Sequence, residues 1–531
     1  MNLRAWVAAA LGSALVSSFA AAAQDRPDEN AMFGSDAPAV ADAGTPEAAT
    51  ASPRPELAPA PTPHPAGNAH DQAQEDEALT GTPAADAFAS GRLKEDWLKI
   101  GGQFYERAYG SYGLHQRLDA ARVSVPTLVD VYLDARPTDR LRAQVTGRMQ
   151  YDPFLGTSSS IFSTPTAGTV TPAPANPSIG LDQAWLAFDL GHAVFITAGR
   201  QHVKWGTAHF FSPTDFLASR YRDPLSVVDT RLGVTMVKAS IPWEAAGWNF
   251  YAVAVFEPTQ QPATGLGSAG SSGSTQATGN TPATNGAGTT LGDIGGAVRA
   301  EATFGQTVVG IDGLAQKGRK ARAGLDLTTP LGPYLDLYGE ASIRNGSDVQ
   351  LYHQVAHPNP LAGLAGRFVK VDPAHPPLGV AAGITSDLAL ANNRSLNLGL
   401  EYFYNSAGYS DAHIYPWLLF TGTFQPFYTG QHYGAFSATL SDTEAKSTYV
   451  LSNIGNLSDA SFIVRGDYLV TVLSYLQFSA FAGVHYGTPG GEFRLQVNVA
   501  QADVPGITLP GGRLYSPAPV VDLGVGLRLS L

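Results

Sequence analysis

Between Val521 and Leu531, apolar residues alternate strictly with polar or small ones. Val521, Leu523, Val525, Leu527, Leu529 and Leu531 stand against Asp522, Gly524, Gly526, Arg528 and Ser530. Successive side chains of a strand point to opposite faces, so this segment has one apolar face and one face fit for water. Residues 141–150 repeat the pattern, with Leu141, Ala143, Val145, Gly147 and Met149 against Arg142, Gln144, Thr146, Arg148 and Gln150. Residues 395–402 do the same. After residue 23 no stretch approaches the ~18 consecutive apolar residues of a membrane helix. A chain of this kind crosses a membrane with strands or not at all.

A soluble β-sandwich also alternates, and the connections separate the two cases. Eighteen strands can be placed, the first near 97–109 and the last near 520–531. Long loops at 110–126, 152–179, 204–230, 258–293, 345–377, 405–429 and 486–519 alternate with short turns such as Leu190-Gly191 and Pro330-Leu331-Gly332. Two joins on the long side, 317–319 and 455–458, are short. Short turns at one end and long loops at the other are the layout of a transmembrane antiparallel β-barrel. The expected fold is all-β, a barrel of about 18 strands with sixteen as the alternative, and either size leaves a water-filled interior.

Barrel physics accounts for the composition. One face of each strand meets lipid and the other water, so charge falls to 15%, against roughly 25% in soluble domains. Zero cysteine removes a disulfide framework, a Cys-ligated metal centre and a lipidated N-terminal Cys. The net charge of -12 is concentrated in residues 24–91, which hold twelve acids and two bases. The remainder lacks the basic footprint of a nucleic-acid binder.

Three regions follow. Arg4, the apolar stretch Ala5 to Phe19 and the small residues Ala21-Ala22-Ala23 before Gln24 read as a signal peptide over 1–23. The Ala, Pro and acidic composition of 24–91 reads as a disordered periplasmic linker, able to reach an envelope partner but more simply a spacer. Residues 92–531 form the barrel.

The lipid-facing register fixes the opposite one, which points inward. It carries Asp130, Asp134, Arg136, Arg142, Arg148, Arg299, Glu301, Arg322, Asp326, Asp336, Glu340, Arg344, Glu401, Arg465, Asp467, Asp522 and Arg528. At mid-bilayer a lipid-facing Arg or Lys would cost roughly 2–4 kcal/mol, so charges in the complementary register support the topology. The plainest use of these residues is cross-strand ion pairing that braces the wall.

The most distinctive stretch is Gly199-Arg200-Gln201-His202-Val203-Lys204-Trp205-Gly206, followed by Pro213-Thr214-Asp215 and Arg220-Tyr221-Arg222-Asp223-Pro224-Leu225. Here the chain resembles Gram-negative outer-membrane porin-like proteins, in which a G-R-Q-x-x-x-W-G strand end precedes a loop with a Pro-x-Asp element. The motif covers about thirty residues and says little about substrate. In such porins the third external loop folds inward and narrows the barrel, and 204–230 is the third external loop here. The resemblance therefore implies Arg200, Lys204, Asp215, Arg220, Arg222 and Asp223 as constriction residues. It also implies outer-membrane lipid and small polar solutes as partners. Porins of this kind are often homotrimers, but no feature of this sequence decides the oligomeric state. Such barrels usually end in an aromatic residue, whereas this sequence ends in Leu531.

Sequence signals for chemistry are weak. Gly265-Leu266-Gly267-Ser268-Ala269-Gly270 matches a dinucleotide-binding spacing but lies in low-complexity sequence with no Rossmann unit before it. Walker A, H-E-x-x-H and G-x-S-x-G motifs do not occur. His353 and His357 lie four apart in a Pro-rich loop rather than on a helix, a poor metal site. No cofactor, metal or enzymatic role is implied. The expectation is passive diffusion of small polar or charged solutes through a porin-like channel. A loop-plugged barrel serving as receptor or envelope tether is the alternative, and an outer-membrane hydrolase stands behind it.

Overall fold

The computed structural model describes residues 97–531 apart from 118–120, 139, 155–175, 219–220, 227–228, 230, 258–293, 359 and 504–509. The leader and linker expected over 1–91 lie outside the described residues.

The wall begins with β1 (Leu98–Gly113), β2 (Thr127–Thr138), β3 (Leu141–Tyr151), β4 (Ser178–Leu190), β5 (Val194–Gln201) and β6 (Val234–Trp243). It continues through β7 (Trp248–Val255), β8 (Gly295–Phe304), β9 (Thr307–Gln316), β10 (Arg319–Pro330), β11 (Leu335–Arg344) and β12 (Leu378–Leu390). The last six are β13 (Arg394–Asn405), β14 (His432–Asp442), β15 (Ser447–Asn456), β16 (Ser461–Leu473), β17 (Leu476–Gly487) and β18 (Pro519–Ser530). Neighbours in sequence pair antiparallel, and β1 pairs with β18 from Gln103↔Ser530 to Tyr112↔Val521. The eighteen strands close, and no edge is left for another chain.

The alternation read from sequence is the alternation of the wall. On β18, Leu523 and Val525 are more than half exposed while Asp522 on the same strand is 5% exposed. Val298 and Ile311 stand outward on β8 and β9, whereas Arg299 and Asp312 beside them are buried. Lipid hydrocarbon offers no hydrogen-bond partners, so the backbone groups pair within the sheet and the outward face is apolar.

Three of the long loops carry structure of their own. Leu351–Gln354 pairs with Phe368–Val371, so His353 sits in a hairpin strand rather than in irregular loop. Val497–Ala500 pairs with Arg513–Ser516. Between them in sequence lies α1 (Tyr415–Thr421), with a proline in its first turn and Gly422 in the left-handed conformation closing it onto the Leu418 and Leu419 carbonyls. Leu364, Leu419, Val497 and Val499 join these pieces in one apolar cluster.

Candidate functional site

The loop between β5 and β6, residues 202–233, turns into the barrel instead of standing on its rim. Its first part is apolar: Trp205, Phe216 and Leu217 are each 1% exposed. They pack on the inner face of β6 to β9 through Val234, Met236, Val253, Val255, Ala297 and Leu314. The middle of the loop crosses toward β11 to β15, where Ala208 and Phe211 join Tyr338, Ala381, Phe403, Tyr433 and Ile454. Phe211 stacks on Phe403 with ring centroids 5.0 Å apart. The far part reaches β16, where Arg465 donates to the Leu225 carbonyl at 3.0 Å. β16 lies nearly opposite β6 in an eighteen-strand wall. The loop spans the lumen.

Two glutamates hold it there. Glu401 on β13 accepts the backbone N–H groups of His209 at 2.9 Å, Phe210 at 3.1 Å and Phe211 at 2.7 Å, and the Tyr338 hydroxyl at 2.8 Å. Glu340 on β11 accepts the Ala208 N–H, the Thr214 N–H at 3.2 Å and the Thr214 hydroxyl at 2.7 Å. The Ser212 hydroxyl lies 3.2 Å from Glu340 Oε2 and 3.1 Å from the Trp205 carbonyl. Backbone amides that leave regular structure need acceptors once buried, and a carboxylate supplies several at once. Gly206 makes the clasp possible. Its φ is +97°, and a Cβ there would collide with the Glu340 carboxylate and the Thr214 hydroxyl.

Arg231 ties the last part of the loop to its middle, donating to Asp215 at 2.9 Å and to Asp229 at 2.7 Å. The flanking acids hold its guanidinium charged more firmly than usual, against the effect of burial. Asp223 accepts the Leu225 N–H at 2.9 Å. Burial pushes the Asp223 carboxyl up, offset in part by Arg465, Arg107 and Arg222.

Solved structures similar to this chain include OccAB1 of Acinetobacter baumannii, with 10% identity and a TM-score of 0.44 over 82% of this chain and 96% of that one. A BenF-like porin from Pseudomonas fluorescens Pf-5 has 10% identity and a TM-score of 0.45 over 82% and 98%. OccK2 (OpdF) of Pseudomonas aeruginosa, in complex with glucuronate, has 11% identity and a TM-score of 0.44 over 82% and 98%. No protein-family model and no curated protein matches the chain.

The residues singled out from the sequence fall into separate groups. Lys204, Asp215, Arg222 and Asp223 lie on the inward loop, and Arg220 lies outside the described residues. Arg200 does not lie with them. It is opposite Ala184 on β4 and Thr235 on β6, in the register of Val145, Val237 and Ile241, which faces outward. There it pairs with Glu257 at 2.9 Å. The alternation is unbroken along β5: Thr197, Gly199 and Gln201 stand opposite the buried Lys238, Met236 and Val234, and Arg200 falls on the other face.

Most of the wall charges pair, some across strands and some along one strand. Arg142 meets Asp134 at 2.7 Å, and Arg148 meets Asp130 at 2.8 Å and Asp182 at 3.1 Å. Arg299 meets Glu301, Asp312 and Asp326 between 2.6 and 2.9 Å. Arg465 pairs with Asp467, and Arg322 with Asp348 of an external loop. Arg136 lies 3.6 Å from Asp134. Arg344 lies 3.4 Å from the Tyr221 hydroxyl, Arg528 donates to Gln103 at 2.9 Å, and Asp522 lies 2.8 Å from His485. Glu340 and Glu401 break this pattern, binding the loop rather than a cation. The sequence reading missed Arg231 and also Arg107, whose guanidinium lies 4.2 Å from the Phe481 ring centroid, as does that of Arg465. Only the inward register of Arg107 on β1 signalled it.

Proposed function

We propose that this chain is an outer-membrane porin-like channel for passive diffusion of small polar or charged solutes. The carrying observation is the loop 202–233, drawn across an eighteen-strand lumen and clasped by Glu340 and Glu401. A barrel of this size is wider than a small solute needs, and a fixed loop divides its section into a passage of molecular width. Sieving then follows from the loop's position, and selectivity from fixed charges in a pore with low-dielectric walls. Lys204, Asp215, Arg222 and Asp223 are the constriction residues in this reading. Arg142, Arg148, Arg299, Glu301, Arg322, Asp326, Arg344, Arg465, Asp467 and Arg528 line the path, most of them neutralised in pairs. Lys204 has no bonded acid among the described residues, so it contributes an uncompensated positive charge.

Single-channel recording of refolded protein in planar bilayers under a KCl gradient tests the reading. Stable open steps with a selectivity that follows Lys204 are the expected result. A correctly folded but silent barrel would overturn it in favour of a loop-plugged receptor or tether.

A further inference from the structure

Loop 202–233 begins at His202 and ends at Gly233, and both residues bond one carboxylate. β4 pairs with β3 as Thr146↔Gln183 and then Gly147↔Leu181, which leaves Asp182 out of the ladder. A bulge of this kind re-aims the side chain it carries. Asp182 is 3% exposed and lies just beyond Ala184, where the pairing of β4 with β5 stops. Its Oδ1 accepts from His202 Nε2 at 2.9 Å and from the Gly233 N–H at 3.3 Å, while its Oδ2 meets Arg148 at 3.1 Å. The Asp182 backbone carbonyl also accepts from Gly233, at 3.2 Å. A Cβ at position 233 would stand 2.6 Å from that carbonyl, so the approach requires glycine.

An ionised carboxylate only accepts, so His202 donates through Nε2. Its Nδ1 makes no hydrogen bond among the described residues, and its side chain is 36% exposed. A proton therefore reaches Nδ1 from solvent without breaking the bond to Asp182, and a neutral hydrogen bond becomes a charge-assisted one. Histidine is the side chain whose charge changes between about pH 5 and 8. The charged groups around the ring are Asp182 on the wall, Asp229 and Arg231 on the returning limb, and Arg148 on β3, which also holds Asp130. Lys204 stands two positions along the loop. We propose that Asp182 and His202 are a positioning pair that pins both ends of the inward loop to one point of the wall, more tightly when His202 is protonated. The loop then loosens as pH rises through the histidine range. The consequence for solute flow rests on the channel reading, whereas the pin itself rests on the contacts alone.

Hydrogen exchange of the refolded full chain, corrected for intrinsic rates, reads the pin without reference to conduction. Amides around His202 and Gly233 should exchange about fivefold more slowly at pH 5 than at pH 8, the step from a neutral to a charge-assisted hydrogen bond. His202→Gln, whose amide still donates but does not titrate, should hold the loop with a flat profile. His202→Ala should also be flat, with faster exchange at both pH values. Asp182→Asn should abolish the dependence as well, and His202→Gln decides alone if that variant does not fold. A purely structural contact has no pH profile to lose. Exchange independent of pH in the unaltered protein, or a profile that survives His202→Gln, overturns the proposal. Single-channel recordings on the same preparations separate the two readings. Currents quieter at pH 5 than at pH 8, with the difference lost in His202→Gln, support both. A silent barrel that keeps the exchange profile supports the pin and overturns the channel reading. Open steps whose noise ignores pH overturn the part assigned to the pin in the passage.

Discussion

The Glu401 carboxylate on β13 accepts the backbone N–H of Phe211 at 2.7 Å, across 190 positions of sequence. Wall and loop are thereby joined, and the place of the loop across the lumen depends on where a strand sets a single carboxylate.

Glu401→Ala removes the acceptor for three backbone amides and the Tyr338 hydroxyl in a buried place. Each buried donor left unpaired costs about 1–3 kcal/mol. The expected outcome is a lower unfolding temperature together with larger, noisier single-channel currents. Glu401→Gln keeps an acceptor oxygen and should fall between the two. Currents unchanged in the alanine variant would mean that the apolar contacts of Trp205, Phe211 and Phe216 position the loop unaided.

Selectivity separates the inward from the outward cations. Lys204→Glu and Arg222→Ala should each move the reversal potential under a KCl gradient toward cations. Arg200→Ala, on the outward register and paired with Glu257, should leave it in place. A shift with Arg200→Ala as large as with Lys204→Glu would contradict this assignment.

Arg299 neutralises three buried acids, Glu301, Asp312 and Asp326. Taking away one partner of a buried ion pair typically costs 3–5 kcal/mol, because the remaining charge has no compensation. Arg299→Met should therefore destabilise the barrel strongly in urea unfolding from lipid. Arg140→Ala, which breaks a pair with Asp189 at an exposed site, should change stability far less, because water screens a surface pair.

The external loops carry a pH dependence through Glu492. This buried side chain accepts the Phe427 N–H, the Tyr433 hydroxyl and the Asn456 amide, the last at 2.8 Å. Burial pushes its carboxyl up from the ordinary 4.5 to about 8; Asp459 adds to the rise, while Tyr433, Asn456 and the Phe427 N–H oppose it. Tyr415, bonded to Asp459 at 3.0 Å, completes the group around it. A raised folded-state value means that stability is full below about 4.5 and is lost as pH rises through about 8. Hydrogen exchange in 423–431 and 488–494, corrected for intrinsic rates, should quicken between pH 6 and 9. Glu492→Gln should flatten that profile.

Much of the wall was legible in the sequence, and Val521 to Leu531 shows why. Bilayer and lumen impose opposite demands on adjacent residues, so facing is written locally, every second position, and loop lengths mark which end is which. Eighteen strands, their order and the inward register of Arg299, Asp326 and Glu401 follow from that local pattern. The Trp-Gly end of the motif is legible in sequence only as a resemblance; its reason, a backbone conformation at Gly206 that a side chain would obstruct, comes from the structure.

What the tertiary structure alone decided is which inward groups meet. Glu340 and Glu401 look like any other lumen acids in sequence, yet they bind backbone amides well over a hundred positions away. Arg200 reads as part of the loop until the pairing of β5 with β6 places it beside Thr235 on the outward register. A strand's two faces are fixed by its own residues, whereas the partner of a buried charge is fixed by how a closed wall brings distant strands and a returning loop together.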